Sequence, residues 1–201
     1  MNRVSSRNNS NVKIMTRVGM LGAIAFILMY FQLPVAFIAP EFMKIDISDL
    51  PVLIGAFAMG PVQGIMIAAL KNVLHLAIKG TSTGGIGELS NFMLSSVFAV
   101  TAGLIYRRKN TFKGAIVGLL LGTVITTFFA VISNYYFIFP LYAKLMPMEA
   151  IINAGSAVTS RITDLWSMMM YSVIPFNLLK GLITSVVTML IYKRVSPILK
   201  N

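Results

Sequence analysis

A handful of polar side chains interrupt stretches that are otherwise apolar, and these are where chemistry is possible. Lys71, Asn72, His75 and Lys79 lie in one such stretch, Asn134 in another, and Asn177 and Lys180 in a third. Ionisable groups inside apolar spans cost roughly 2.5–3.5 kcal/mol each on insertion scales, so they usually face an interior site. Lys71, His75 and Lys79 recur every four residues and on a helix would share one face. Lys79 can snorkel to a boundary, with its stem along apolar surface, and His75 can be a satisfied interior histidine. Lys71 lies deeper and needs a partner or an aqueous cavity. Asn177 and Lys180 are three apart and share a face, with Pro175 just before them to start or kink the helix. An amide and an ammonium supply donors plus one acceptor. They can read a flat ring edge carrying carbonyls and an imide N–H, or serve a structural bond between helices. Asn134 opens an Asn-Tyr-Tyr run before Pro140, at about the height of Asn177. The tyrosines there are ordinary interfacial residues.

Two further places are ambiguous. Asp49 follows Ser48 and precedes Pro51. Ser48 or Asp49 can cap a helix, and the carboxylate can also touch a solute. The run Gly80-Thr81-Ser82-Thr83-Gly84-Gly85 is followed by Glu88 and Asn91. Its glycines let backbone approach a ligand, and a plain turn wants the same residues.

Other chemistry is excluded outright. Cysteine is absent and His75 is the single histidine, so Cys-ligated metals, Cys nucleophiles and multi-His sites cannot form. No G-x-x-x-x-G-K-[ST] run exists, so energy for transport would come from a partner or an ion gradient. No paired intramembrane carboxylates or Ser–His arrangement support an enzyme, and neither a cofactor nor a metal is expected.

The elements that hold these residues follow from composition. Of 201 residues, 57% are hydrophobic and 11% charged, against roughly 25% charged in a soluble domain. Mean hydropathy is +0.81. With 17 Lys+Arg against 6 Asp+Glu, the net charge is +11. The apolar content argues against a nucleic-acid partner, and basic excess in a membrane protein collects in cytoplasmic loops. The chain therefore reads as an all-α polytopic membrane protein in a lipid bilayer, forming a single membrane domain over 1–201.

Charge parity gives the topology. The tail 1–17, the loop 107–113 and the C-terminus are basic and belong inside. Segments 35–48, 79–83 and 140–171 are near balance and belong outside. Six transmembrane helices with both termini cytoplasmic satisfy this, at about 18–34, 49–59, 61–79, 84–106, 114–139 and 172–193. The second is only ~17 Å long as helix and needs shelter from its neighbours. Segment 140–171 is too polar to span and reads as short surface helices. A cleaved signal peptide fits the basic head, but no small-x-small site closes the first apolar run. Gly19, Gly22 and Ala23 give helix 1 a small-residue face that another helix can approach, inside this chain or outside it.

Taken in order, Asp46-x-Ser48-Asp49-Leu50-Pro51, Gly60-Pro61, Lys71-Asn72-x-x-His75, STGGIGELSNF at 82–92, SNYY at 133–136 and Asn177-x-x-Lys180 resemble the riboflavin-specific substrate-binding (S) subunit of energy-coupling factor (ECF) transporters. The resemblance implies an ECF S-component-like fold in the bacterial cytoplasmic membrane. It implies a vitamin pocket near the outer face, roofed by the first extracellular loop. Riboflavin would be the transported ligand. The partners would be a transmembrane coupling subunit and two ATPase subunits. By resemblance, Asp49, Asn134, Asn177 and Lys180 would bond the isoalloxazine ring. Lys71, Asn72, Thr83, Gly84, Gly85 and Glu88 are further substrate-site candidates, and Gly19, Gly22 and Ala23 would form the docking face. Position 49 is Asp where some relatives are expected to carry Glu, one methylene longer. The docking face is Gly-rich rather than Ala-x-x-x-Ala. Two alternatives stay open: an S component for another vitamin, and an ion-coupled secondary transporter using Glu88 or Asp49.

Overall fold

The computed structural model describes the backbone of residues 2–199 and the side chains of residues 11–192 and 194. Arg3, Arg7, Lys193 and Lys200, counted above as basic tail residues, have side chains outside the described residues.

The chain is a bundle of helices with one short hairpin. Its elements are α1 (Asn2–Tyr30), β1 (Leu33–Pro34), β2 (Lys44–Ile45), α2 (Asp49–Ala58), α3 (Pro61–Leu74), α4 (Ile86–Arg108), α5 (Phe112–Ser133), α6 (Phe139–Tyr142), α7 (Met148–Ser156), α8 (Leu165–Met168) and α9 (Ile174–Leu199). Three π-helical turns join them, at His75–Lys79, Asn134–Ile138 and Met169–Val173. Among the described residues, five stretches are long and apolar enough to cross a membrane: Asn11–Tyr30, Pro61–Lys79, Ile86–Arg108, Phe112–Tyr142 and Leu165–Tyr192. The short α2 is nearly all buried, so its limited length is sheltered by neighbours.

Sequence dictates where these helices break. Gly60 takes φ +119, open to glycine, and Pro61 then starts α3 where its missing N–H costs nothing. Prolines 140 and 175 do not end their helices. Each sits four residues after a carbonyl, at Tyr136 and Tyr171, that lies inside a π turn. A proline ring clashes with that carbonyl, and the wider π turn accommodates it. The last long helix therefore begins at Leu165, ahead of the expected 172, and Pro175 lies within it. At its start, Ser167 N donates to Asp164 Oδ1 at 2.7 Å in a capping box. The first helix stops at Tyr30, short of 34, because Leu33 and Pro34 leave it to pair antiparallel with Ile45 and Lys44.

Small residues set the packing of α4 on α5. A Cβ added at Gly118 would stand 2.9 Å from the Ala102 carbonyl oxygen, so the two backbones touch there. Close approach through glycine is how apolar helices associate when lipid offers no hydrophobic drive. The outward surfaces are apolar, with Phe128 and Leu190 each about 70% exposed (69% and 71%). In water such a belt would be costly, and in a bilayer it is solvated.

Candidate functional site

A cavity of about 900 Å³ opens among the C-terminal ends of α1, α3 and α5 and the N-terminal ends of α4 and α9. The hairpin covers it with Phe42, Met43 and Lys44, and Asp46, just past the hairpin, lines it from below. A site of this size suits a drug-sized ligand held by apolar walls and a few convergent polar groups. Phe139, Tyr142, Phe176, Leu94 and Ile138 supply the apolar walls, and Asn134, Asn177 and Lys180 converge from α5 and α9.

The two asparagines are oriented by their own helices. Asn134 Nδ2 donates to the Ala130 carbonyl and Asn177 Nδ2 to the Val173 carbonyl, both at 2.8 Å. With the amide NH2 turned back on the helix, each presents its carbonyl oxygen as an acceptor. The Asn134 bond reaches back from the first residue of one π turn. The Asn177 bond ends on the last residue of another. Such π turns are frequent at functional sites because they re-aim side chains.

Beneath the cavity lies a buried network of four charges. Lys71, 0% exposed, donates to Asp49 Oδ1 at 2.6 Å and to Ser48 Oγ at 2.7 Å. Ser95 Oγ also donates to Asp49 Oδ1. Lys180 Nζ lies 3.3 Å from Asp46 Oδ2 and 3.8 Å from Asp49 Oδ2. Asp46 Oδ1 accepts from Ser48 N at 2.8 Å and from Ser48 Oγ. Buried charges are tolerated when paired and hydrogen-bonded, and here each is.

This network corrects the capping expectation. Ser48 makes no side-chain cap to α2. The Lys71 ammonium needs Ser48 Oγ and Asp49 more than the helix N-terminus does, since an unpaired buried charge costs more than an uncapped N–H. Lys71 itself finds the partner its depth required.

The expected site residues separate into two layers. Asn134, Asn177, Lys180, Thr83 and Glu88 line the cavity. Asp49, Lys71, Asn72, Gly84 and Gly85 do not. Asp49 stands behind Lys180, at a side cavity of about 20 Å³ that Asn177 and Lys180 also line. Asn72 Nδ2 bonds the Ala68 carbonyl at 2.8 Å, and its buried oxygen has no partner among the described residues. Gly84 and Gly85 take φ of 60 and 85, so the turn between π helix and α4 requires them. Thr83 Oγ1 accepts from Gly87 N at 3.1 Å. Glu88 accepts from Thr81 Oγ1 at 3.0 Å and meets His75 Nδ1 at 3.1 Å.

Gly19, Gly22 and Ala23 lie on α1, remote from the cavity walls. Gly22 packs against Leu70 of α3, whereas Gly19 has open space beside it and Ala23 is exposed. Asp46 was not among the expected site residues, because an acid in a loop is ordinary. The signal that would find it is a count: two lysines inside spans require two carboxylates, and Asp49 supplies one.

Fold and cavity together define a multi-pass membrane protein with a roofed, solute-sized site and no nucleotide-binding motif. The chain belongs to the family of ECF transporter substrate-specific components, whose model matches residues 13–192. It is similar to the riboflavin transporter RibU of Staphylococcus aureus (strain TCH60), 34% identical over 100% of both chains. It is also 34% identical to the riboflavin transporter FmnP of Bacillus subtilis (strain 168), over 92% of this chain and 93% of that one. A solved structure described as the S component of a bacterial ECF transporter superposes with a TM-score of 0.74. It is 32% identical and covers 95% of this chain and 99% of that chain.

Proposed function

We propose that this chain is the riboflavin-capturing S component of an ECF transporter. It takes the vitamin from outside into the roofed cavity, and partner subunits drive import: a transmembrane coupling subunit and two ATPases. The observation that carries this reading is the convergence of Asn134, Asn177 and Lys180 on one cavity of about 900 Å³. The riboflavin names of its full-length relatives support it. One of the two asparagine carbonyl oxygens accepts from the ring's imide N–H, and the Lys180 ammonium donates to a ring carbonyl. The aromatic and aliphatic walls take the flat faces of the ring. Asp49 acts through Lys180 and Lys71, as part of the layer that holds them. Thr83 and Glu88 meet the polar remainder of the ligand; Lys71, Asn72, Gly84 and Gly85 shape the site from behind.

Topology follows the same reading. Helices 1, 3 and 5 of the six spans end at the cavity, and the others begin there. The basic loop 107–113 then lies at the opposite end with both termini, and the positive-inside rule makes that end cytoplasmic. The exposed Ala23 and the half-buried Gly19, with open space beside it, form the docking face of α1 for the coupling subunit. Titration of purified protein with riboflavin, followed by flavin fluorescence quenching, tests the reading. Saturable binding in the micromolar range or tighter is expected, and its absence refutes it.

A further inference from the structure

The floor of the cavity is densely charged, yet its charges sum to zero. Lys71 and Lys180 are matched by Asp49 and Asp46. The two carboxylates are not equivalent. Asp49 is committed to Lys71 at 2.6 Å and reaches Lys180 only at 3.8 Å. Asp46 has one oxygen held by Ser48 and the other turned to Lys180 at 3.3 Å. Of the two, Asp46 alone both lines the cavity and pairs with the cation that faces it.

The surrounding elements add no charge that replaces it. His75, in the π turn after α3, and Glu88 on α4 face each other at 3.1 Å. Asn134, opening the π turn after α5, is uncharged. Glu41 and Lys44 of the hairpin and Lys79 line the cavity at its exposed edge, where water screens them. Lys180 and Asp46 are themselves largely shielded from water, with side chains 15% and 1% exposed, so an uncompensated charge there acts strongly on whatever binds next to it. A bare Lys180 would favour an anion. Lys180 paired with Asp46 keeps its hydrogen-bond donors while its charge is cancelled.

We propose that Asp46 is a specificity-determining residue: by neutralising Lys180 it makes the cavity select uncharged ring systems over anionic ones. The inference rests on the riboflavin reading and deepens it. Asp46 works through Lys180, so its role differs from that of a direct ligand contact.

Riboflavin itself supplies the probe in both charge states. The oxidised ring is neutral, and the two-electron reduced ring is an anion near neutral pH, with its charge on the pyrimidine side. A positive group beside that edge favours the anion, and the midpoint potential of bound flavin reports the preference. The experiment is an anaerobic potentiometric titration of riboflavin bound to the purified full-length chain. In Asp46→Asn, binding of the reduced form should gain on the oxidised form by about tenfold or more, a rise of about 30 mV per tenfold for a two-electron couple. The double variant Asp46→Asn/Lys180→Met restores a neutral floor, and its potential should return toward wild type. A purely structural role for Asp46 would give no such return. Should Asp46→Asn hold no flavin, Lys180→Met carries the test, because its floor is negative and its potential should fall. An unmoved potential in whichever single variant binds, or a double variant that keeps the Asp46→Asn value, overturns the inference alone. A wild-type chain that binds no riboflavin removes the functional reading and this inference with it.

Discussion

At the scale of single residues, the site separates groups that line the cavity from groups that hold them. Lys180 faces the cavity, and loss of its charge-assisted hydrogen bond should cost about 1.5–3 kcal/mol. Lys180→Met should therefore weaken riboflavin binding by about 10- to 100-fold in a fluorescence titration. Asn177→Ala removes a neutral bond, and its expected loss is about tenfold at most. Lys71 behaves differently because it is buried behind the cavity and does not line it. Lys71→Met leaves Asp49 without its closest counter-charge in a buried site, at a cost of about 3–5 kcal/mol in stability. Thermal unfolding in detergent would register that loss; an unchanged transition would mean that Asp49 does not depend on Lys71. The reading of Asn134, Asn177 and Lys180 as cavity residues was available in the sequence, because an amide or ammonium amid apolar neighbours needs a reason to be there. The role of Asp46 was not, because a loop acid needs none until its distance to Lys180 is known.

At the scale of elements, the departures from the sequence reading have local causes. The helical bundle was legible in the apolar runs and their Gly-Pro punctuation. The three π turns were not, since periodicity at 3.6 residues cannot register one added residue per turn. They matter because two of them aim Asn134 and Asn177 at the cavity. The hairpin was legible only as a loop: two paired residues per strand leave no alternating pattern. Packing of α4 on α5 depends on Gly118. Gly118→Val would push a branched side chain against the Ala102 backbone and should destabilise the protein by about 1–3 kcal/mol, measured as a lower unfolding temperature. The start of α8 is pH-sensitive. The Ser167 backbone N–H holds the exposed Asp164 carboxyl below its ordinary range. A depressed carboxyl stabilises above its unfolded value, about 3.9, and that contribution is lost as pH falls through the lower folded value. Amide exchange at the start of α8 should accelerate in acid in wild type and be insensitive to that range in Asp164→Ala.

At the scale of the whole molecule, the basic excess and the apolar surface have separate tasks. The apolar belt fits the chain to a bilayer, and the loop 107–113 lies at the end away from the cavity. Cysteines introduced singly at exposed positions 110 and 145 test the orientation. Labelling of position 145 but not 110 by an impermeant reagent on intact cells is expected. The reverse pattern would turn the cavity inward and contradict capture from outside. The most direct test of the central claim is the absorption spectrum of the protein purified from cells supplied with riboflavin. Flavin bands in near one-to-one amount, weakened in Lys180→Met, are the expected result. A colourless protein that also takes up no riboflavin on titration would contradict it.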